Sequence, residues 1–203
     1  MKKKSPLLLI VSSPSGAGKT TLCHMLLDEF SDLRFSISHT TRERRFGEVE
    51  GKDYFFVTDR EFDQMIEDEL FIEWAHVHGN RYGTARAEVR AAATEKMDLI
   101  FDVDYQGAKQ IKEQYPGSVG VFVLPPTIEE LQRRLRMRGT ESAESLERRF
   151  KAALEEIANH ELFDYLLVND NLDVAYDSLR AILISERMRH SRVDYLAREM
   201  LEV

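Results

Sequence analysis

The sequence predicts an α/β fold in which helices flank a parallel β-sheet, because two kinds of pattern alternate along its 203 residues. Continuous apolar runs, typical of strands buried on both faces, occupy residues 7–11, 99–103, 119–124 and 165–168. Amphipathic helical patterns cover residues 20–30, 105–114, 128–138, 146–159 and 172–189. The length suits one hydrophobic core that carries small insertions.

Two segments interrupt this alternation. Residues from about 35 to 84 mix strand-like pieces at 54–57 and 71–77 with glycine turns, which predicts an inserted α+β lobe. Residues from about 125 to 160 follow a Pro-Pro break and contain two highly charged helices with few large apolar residues, which indicates a lid. We therefore expect core segments at 1–36, 91–125 and 161–203, a lobe at 37–90 and a lid at 126–160.

The composition narrows the classes of partner. The formal net charge of -8 provides no general basic surface, so we expect neither nucleic acid nor an anionic membrane as a partner. The apolar run at 7–11 is too short for a secretory signal or a membrane span, and the single cysteine, Cys23, allows no internal disulfide. These features predict a cytoplasmic protein. The six histidines form no helical pair and have no cysteine partners, which argues against structural zinc.

The loop after the first predicted strand has the pattern of a phosphate-binding loop. Residues 13–20, SPSGAGKT, match G-x-x-x-x-G-K-S/T except that Ser13 replaces the first glycine. In such a loop, backbone N–H groups and the following helix N-terminus hold phosphate oxygens, Lys19 reaches the β and γ phosphates, and the Thr20 hydroxyl ligates magnesium. A simple strand-to-helix turn is the alternative. The spacing of both glycines, the lysine and the threonine favours a nucleoside triphosphate site in a P-loop core.

A second anion site is indicated by residues 36–57, SISHTTRERRFGEVEGKDYFFV. Here Arg42, Arg45 and Tyr54 are separated by glycine-bearing turns, and two guanidinium groups with a phenol suit a small phosphate. On spacing alone, a solvated basic turn is an equal alternative.

The same segment resembles the guanylate kinase signature, and the resemblance continues along the chain. The stretches FIEWA (71–75), NRYGT (80–84), IFDVDYQG (100–107), RRLRMRGTE (133–141) and VND (168–170) follow in the order and spacing of that family. The resemblance implies a kinase that transfers the γ-phosphoryl group of ATP to GMP, with magnesium as cofactor. The signature positions are Thr40, Thr41, Arg42, Arg45, Glu48, Gly51, Tyr54, Phe56 and Val57.

The resemblance also implies roles for individual residues. The residues implied for ATP are Ser13, Pro14, Ser15, Gly16, Ala17, Gly18, Lys19, Thr20, Thr21 and Asn169, with Thr20 as the metal ligand. Those implied for the GMP phosphate are Arg42, Arg45, Tyr54 and Tyr82, and those implied for the base and its surroundings are Ser38, Glu73, Thr84, Asp102 and Asp104. Catalytic charge neutralisation is implied for Lys19, Arg45, Arg134, Arg138 and Arg149.

The chemistry of guanine supports the implied role of Glu73. Guanine presents N1–H and N2–H₂ donors on one edge, so one carboxylate accepts both, whereas adenine would leave that buried carboxylate unpaired. Asp102 and Asp104 end a buried strand, where α/β folds place ligand groups. Each of these roles has an alternative. Glu73 could be a surface carboxylate beside Trp74, Asp104 could cap a helix N-terminus, and the lid arginines could be solvated charges.

Two other functions share parts of this pattern. A kinase for another nucleoside monophosphate would keep the P-loop but would need base-reading groups other than Glu73 and Ser38. A non-catalytic guanylate-kinase-like module that binds phosphopeptides would lack the intact ATP loop, which Lys19 and Thr20 complete here. The arginine-rich C-terminal helix is either a solvated tail or the interface of a homodimer.

Overall fold

A computed structural model describes residues 5–77, 79–137 and 143–201. It confirms the predicted α/β fold: five parallel strands form one sheet with helices on both faces, and a second sheet has four strands. Along the chain the elements are β1 (Leu8–Ser12), α1 (Lys19–Glu29), β2 (Leu33–Phe35), β3 (Ser38–Thr40), β4 (Phe55–Phe56), α2 (Asp59–Glu67), β5 (Phe71–Val77), β6 (Asn80–Ala85), α3 (Arg86–Glu95), β7 (Asp98–Asp102), α4 (Tyr105–Gln114), β8 (Val119–Leu124), α5 (Ile128–Met137), α6 (Ala143–Ala158), a 3₁₀ turn (His160–Leu162), β9 (Tyr165–Val168), α7 (Leu172–Arg187) and α8 (His190–Leu201).

The core is organised around β1, the central strand of the order β2-β7-β1-β8-β9. Every residue of β1 is buried, because helices cover both faces of the sheet. Leu9 and Val11 pack on one face with residues of α1 and α7, whereas Leu8 and Ile10 pack on the other face with residues of α3 and α4. This two-sided burial explains why the strand has a continuous apolar run and no polar alternation.

The carboxyl ends of the parallel strands meet at one edge of this sheet. Val11 is in register with Asp102 of β7 on one side and with Val121 of β8 on the other. In open α/β sheets, ligands bind outside this edge. The loops after β1, β7 and β9 therefore converge where a functional site is expected.

The second sheet, in the order β4-β3-β6-β5, is fixed to the core through α4. The side chain of Gln110 forms two hydrogen bonds with the backbone of Trp74, at 3.1 and 2.8 Å, and Gln114 donates to the carbonyl of Ile72 at 2.6 Å. Phe62 of α2 packs on Phe71 with ring centroids 4.6 Å apart. The contacts of Gln110 and Gln114 join β5 to α4 of the core.

Helices α5 and α6 have a small apolar cluster of their own. Leu131, Leu135 and Ala153 are its buried members, and Leu146 and Phe150 pack against them half-buried. The sequence predicted few large apolar residues in this segment. The interface between the two helices accordingly contains few buried side chains.

Some boundaries differ from the sequence-based expectation. The strand predicted at 54–57 is reduced to Phe55–Phe56, and Tyr54 instead forms an isolated β-bridge with Glu50. The helix predicted at 172–189 ends at Arg187, where the Met188 N–H bonds to the Ser185 carbonyl and tightens the last turn. Helices α2 and α3 were not predicted, and the expected C-terminal helix is present as α8.

Candidate active site

The loop between β1 and α1 has the backbone geometry of a phosphate cradle. Gly16 and Gly18 have φ values of 94° and 96°, in the left-handed region that favours glycine. A Cβ at Gly18 would lie 2.4 Å from the side-chain nitrogen of Asn169, so no other residue fits there without displacing that amide. Asn169 in turn donates to the carbonyl of Ala17 at 2.7 Å. The end of β9 therefore fixes the loop from outside.

Lys19 points across the carboxyl edge of the sheet. Its Nζ lies 2.5 Å from Oδ1 of Asp102 and 3.3 Å from the carbonyl oxygen of Val103. Burial by itself disfavours the ammonium, but the ion pair with Asp102 outweighs burial, and the pKa of Lys19 lies above its usual value. Lys19 is therefore a fixed cation next to the loop.

The predicted metal ligand, Thr20, lies beside the same carboxylate. Its hydroxyl is 3.5 Å from Oδ2 of Asp102, and Thr21, the next residue of α1, is exposed. Hydroxyl and carboxylate oxygens are the hard ligands that magnesium prefers, so these side chains fit the ion chemically. No group of three or more His, Cys, Asp or Glu side chains suited to a metal occurs within the described ranges. A magnesium ion here would therefore need ligands from the nucleotide or water.

A cleft of about 370 Å³ separates the P-loop from the second sheet. Both predicted sites contribute to its lining, so the structure brings most of the expected residues together. Outside this lining are the predicted residues Arg42, Arg45, Thr84, Arg134, Arg149 and Asn169, and also Ala17 and Thr21. The lining includes Ser13, Pro14, Ser15, Gly16, Gly18, Lys19, Thr20, Ser38, Tyr54, Glu73, Tyr82, Asp102 and Asp104.

The far end of the cleft contains a buried carboxylate next to two hydroxyl groups. Strand pairing places Thr84 of β6 opposite both Ser38 of β3 and Glu73 of β5, and directly paired residues share a face of the sheet. The Ser38 and Thr84 hydroxyl oxygens are 3.2 Å apart, and Glu73 is only 4% exposed. Burial raises the pKa of Glu73 to about 7, although hydrogen bonds from Thr84 oppose the shift. The surface position considered for Glu73 is therefore wrong.

Arg42 lies at the rim of the second sheet in a bidentate ion pair. Its two terminal nitrogens are 2.7 and 3.1 Å from the carboxylate oxygens of Glu48, and Glu48 also accepts the backbone N–H of Arg45 at 2.8 Å. The guanidinium carbon of Arg42 is 5.4 Å from the ring centre of Tyr54, which makes an edge contact with Tyr82. Glu48 thus orients one predicted phosphate ligand, whereas the side chain of Arg45 is exposed.

Asp104 lines the cleft and also caps a helix. Its carboxylate accepts the backbone N–H groups of Gln106 and Gly107, both at 3.0 Å, at the start of α4. The N-cap considered from the sequence is therefore present. Gly107 is needed in the same turn, because a Cβ there would lie 2.7 Å from a carboxylate oxygen of Glu73.

Two arginines of α5 and α6 contact the P-loop and the residue that supports it. Arg134 donates to Glu130 on its own helix at 2.6 Å and to the carbonyl of Asn169 at 3.0 Å. Arg149 of α6 donates to the hydroxyl of Ser15 at 3.1 Å. The solvated state considered for these two side chains is therefore wrong, while Arg138 lies outside the described residues.

One cleft residue was missed by the sequence analysis. Glu156 of α6 lines the cleft beside Ser15 and Lys19 of the P-loop. Burial raises the pKa of Glu156 to about 7, although the charge of Lys19 opposes the shift. No local pattern distinguishes Glu156 from the other glutamates of a charged helix, so only the docking of α6 reveals it.

The fold and the cleft define a P-loop kinase, with a glycine-rich phosphate loop facing a second site across a cleft. A family model described as guanylate kinase matches residues 5–186. Guanylate kinases of Syntrophotalea carbinolica and Geobacter sulfurreducens are 46% and 48% identical, over 99% and 94% of this chain and 96% and 94% of their own lengths. A crystal structure of guanylate kinase from Anaplasma phagocytophilum superimposes with a TM-score of 0.77 at 34% identity, covering 94% of this chain and 90% of that one.

The chain belongs to the guanylate kinase family and is an enzyme, a nucleoside monophosphate kinase that phosphorylates GMP with ATP. The resemblance seen in the sequence is thereby confirmed. Among the described helices, none combines the length and the apolar character needed to cross a bilayer.

Proposed function

We propose that the reaction takes place in the 370 Å³ cleft, where the P-loop holds ATP with magnesium and the second sheet holds GMP. The observation that carries this proposal is the position of the buried Glu73 across the cleft from Lys19. A cation on one wall suits the phosphate chain of the donor, and a carboxylate on the other suits the hydrogen-bond donors of guanine.

The donor side depends on groups that are already fixed. The N–H groups of the loop and the N-terminus of α1 stabilise the ATP phosphates, and Lys19 neutralises charge on the transferring group. Thr20 would ligate magnesium, and the Asp102 carboxylate beside it would help to hold the ion. When bound, magnesium would supply charge neutralisation to the phosphates. Asn169 supports this side by holding the loop at Ala17.

The acceptor side discriminates by hydrogen bonding. Glu73 in its ionised form accepts the N1–H and N2–H₂ donors of guanine, while the hydroxyl of Ser38 or Thr84 donates to O6. Adenine offers an acceptor at N1 and would leave this buried carboxylate unpaired, which costs about 1–3 kcal/mol or more for a charged group. The GMP phosphate is bound by Arg42, Arg45 and the phenols of Tyr54 and Tyr82.

Transfer itself requires alignment and charge neutralisation, and no general base is needed. We propose that the lid (126–160) and the lobe (37–90) close on the core so that Arg134, Arg138 and Arg149 approach the phosphates and water is excluded. The contact of Arg149 with Ser15 supports the part of this proposal that concerns α6.

Two further features belong to the proposal. A cytoplasmic location fits a chain whose single cysteine allows no internal disulfide, and the net charge of -8 argues against nucleic acid or anionic membrane partners. A homodimer joined through α8, which exposes Leu196, Met200 and Leu201, stays a prediction that the mass of the protein in solution tests.

The test is a coupled assay of ADP release with ATP, magnesium and each of GMP, AMP, CMP, UMP and dTMP. We expect GMP to be used with a kcat/KM at least about a hundredfold above the others, on the scale of a buried polar mismatch. A preference for another nucleotide would overturn the assignment of Glu73 to guanine. Absence of turnover with every nucleotide would favour a binding module.

A further inference from the structure

The register of the second sheet shifts by one residue immediately before Glu73. Phe71 of β5 pairs with Ala85 of β6, and Glu73 pairs with Thr84, so two residues of β5 advance for one of β6. Ile72 is the extra residue, as in a β-bulge, and its side chain is fully buried. Bulges beside functional sites often change the direction of a side chain.

This shift decides which face of the sheet carries Glu73. Directly paired residues share a face, so Glu73 lies on the same face as Thr84, and Ser38 lies there too. Without the extra residue, Glu73 would pair with Gly83 and point to the opposite face, which is the face of His39. The bulge therefore places the carboxylate beside the two hydroxyl groups.

Strand β5 lies at the edge of its sheet, and two glutamines of α4 bind its backbone there. Gln114 donates to the carbonyl of Ile72 at 2.6 Å. Gln110 accepts the N–H of Trp74 at 3.1 Å and donates to its carbonyl at 2.8 Å. Backbone groups at a sheet edge need such partners when a helix covers them. The residues on both sides of Glu73 are therefore held by α4.

The same face of α4 also accommodates the carboxylate. Gly107, Gln110 and Gln114 are spaced three and four residues apart, which puts them on one face of the helix. A Cβ on Gly107 would lie 2.7 Å from Oε2 of Glu73, so the carboxylate rests against the helix backbone. Three consecutive residues of β5 thus each contact one residue of this face.

We propose that Gln110 and Gln114 are positioning residues for guanine recognition. By holding the residues before and after Glu73, they fix the bulge in β5 and with it the direction of the carboxylate. Among the described residues that line the cleft, neither glutamine occurs, so both act through Glu73. This inference rests on the proposed reading of guanine by Glu73.

A purely structural role for the two glutamines predicts a different result. If they only attach β5 to α4, losing one lowers the amount of folded enzyme, and kcat/KM falls by the same factor for every nucleotide. A misdirected Glu73 instead lowers kcat/KM for GMP more than for AMP, because only guanine offers the donors that the carboxylate accepts. The GMP to AMP ratio of kcat/KM therefore separates the two roles.

The test measures this ratio in the wild type, Gln110→Ala, Gln114→Ala and the control Gln64→Ala. Gln64 is exposed and its amide donates to Asp68 at 3.1 Å next to its own helix, so its variant removes the same group away from β5. We expect the ratio to fall about tenfold or more in each α4 variant, on the scale of a misplaced binding group, and to stay within about twofold in the control. An unchanged ratio in both α4 variants would overturn the proposal, whatever their melting temperatures.

A double-variant cycle shows whether Gln110 acts through Glu73. In a Glu73→Gln background, Gln110→Ala should lower the ratio by less than about twofold more, because the carboxylate that it positions is already gone. A further fall of about tenfold in the double variant would contradict this route and overturn the proposal.

The single variant Glu73→Gln distinguishes this proposal from the proposed function. If it leaves the ratio unchanged, the reading of guanine by Glu73 fails, and the positioning role fails with it. If it lowers the ratio while Gln110→Ala and Gln114→Ala do not, the reading of guanine stands and only the positioning role is overturned.

Discussion

Lys19 and Asp102 form an ion pair with 2.5 Å between Nζ and Oδ1, at the point where β1 and β7 end side by side. The pair fixes the direction of the lysine side chain without help from a ligand. Because Asp102 also lies 3.5 Å from the Thr20 hydroxyl, one carboxylate orients both side chains that we propose for the ATP–magnesium complex. Preorganised charge of this kind needs little rearrangement during reaction.

Replacing Lys19 by Met should reduce turnover by about a hundredfold or more, the scale of losing one preorganised electrostatic donor. Its partner Asp102 keeps 21% of its side chain exposed and stays hydrated, so the melting temperature should change little. Coupled turnover and thermal melting are the two measurements. Near-normal turnover with unchanged melting would contradict the role of the P-loop.

Glu73→Gln should lower kcat/KM for GMP by about two to three orders of magnitude, because the amide places a donor against a guanine donor and removes the charge. Activity with AMP should change much less, so the ratio of the two nucleotides is the quantity to measure. Glu67→Gln, an exposed change on α2, provides the control. A parallel fall with both nucleotides would make Glu73 a structural support.

The same ratio should depend on pH. Burial raises the pKa of Glu73 to about 7, so the carboxyl is protonated at lower pH and cannot accept both guanine donors. The GMP to AMP ratio of kcat/KM should therefore fall as the pH drops through 7, by about tenfold per unit well below it. Using the ratio cancels titration of the phosphate that both nucleotides share. A ratio that is flat between pH 5 and about 8 would contradict this role.

Arg149→Ala should reduce kcat by about ten- to a hundredfold while the Kd of GMP stays within about twofold, because this guanidinium acts at the P-loop side of the cleft. Arg148→Ala, an exposed neighbour on α6, should leave both quantities near the wild type. Single-turnover kinetics and GMP calorimetry give the comparison. A lost affinity for GMP with unaltered kcat would place Arg149 at the acceptor site instead.

Asn169→Ala should lower the free energy of unfolding by about 1–3 kcal/mol, because it leaves the buried carbonyl of Ala17 without a donor. Asn159→Ala removes an amide that bonds the Glu155 carbonyl four residues earlier and should cost at most about 0.5 kcal/mol. Urea titration of the three proteins measures the difference. Equal losses of unfolding free energy in the two variants would mean that stability does not depend on the hydrogen bond between Asn169 and Ala17.

The sequence predicted the core well because its signals are local. The apolar run at 119–124 and the helical pattern at 105–114 coincide with β8 and α4. Helix α2 was missed although its start is marked by a capping box between Thr58 and Glu61, a signal readable from sequence. Helix α3 begins at Arg86 without a side-chain cap, so no start signal existed.

The candidate site was harder to derive, because its geometry depends on strand register and docking. Ser38, Glu73 and Thr84 meet only through pairings of three strands that no local pattern specifies. Glu48 matches the family signature, but the sequence assigned it no role in binding. The structure shows that its carboxylate holds Arg42 in a bidentate ion pair. The family resemblance supplied what periodicity could not, namely which distant residues share a cleft.

The hydrogen bond between Asn169 and Ala17 joins positions 152 residues apart. During synthesis, the P-loop therefore gains this support only after most of the chain has been made. A ribosome releases the loop sequence early, yet the strands beside β1 and the amide that holds Ala17 emerge much later. A nascent chain that stops before β9 therefore carries the nucleotide motif without its supports. We therefore expect ATP to stabilise only chains that extend through Asn169.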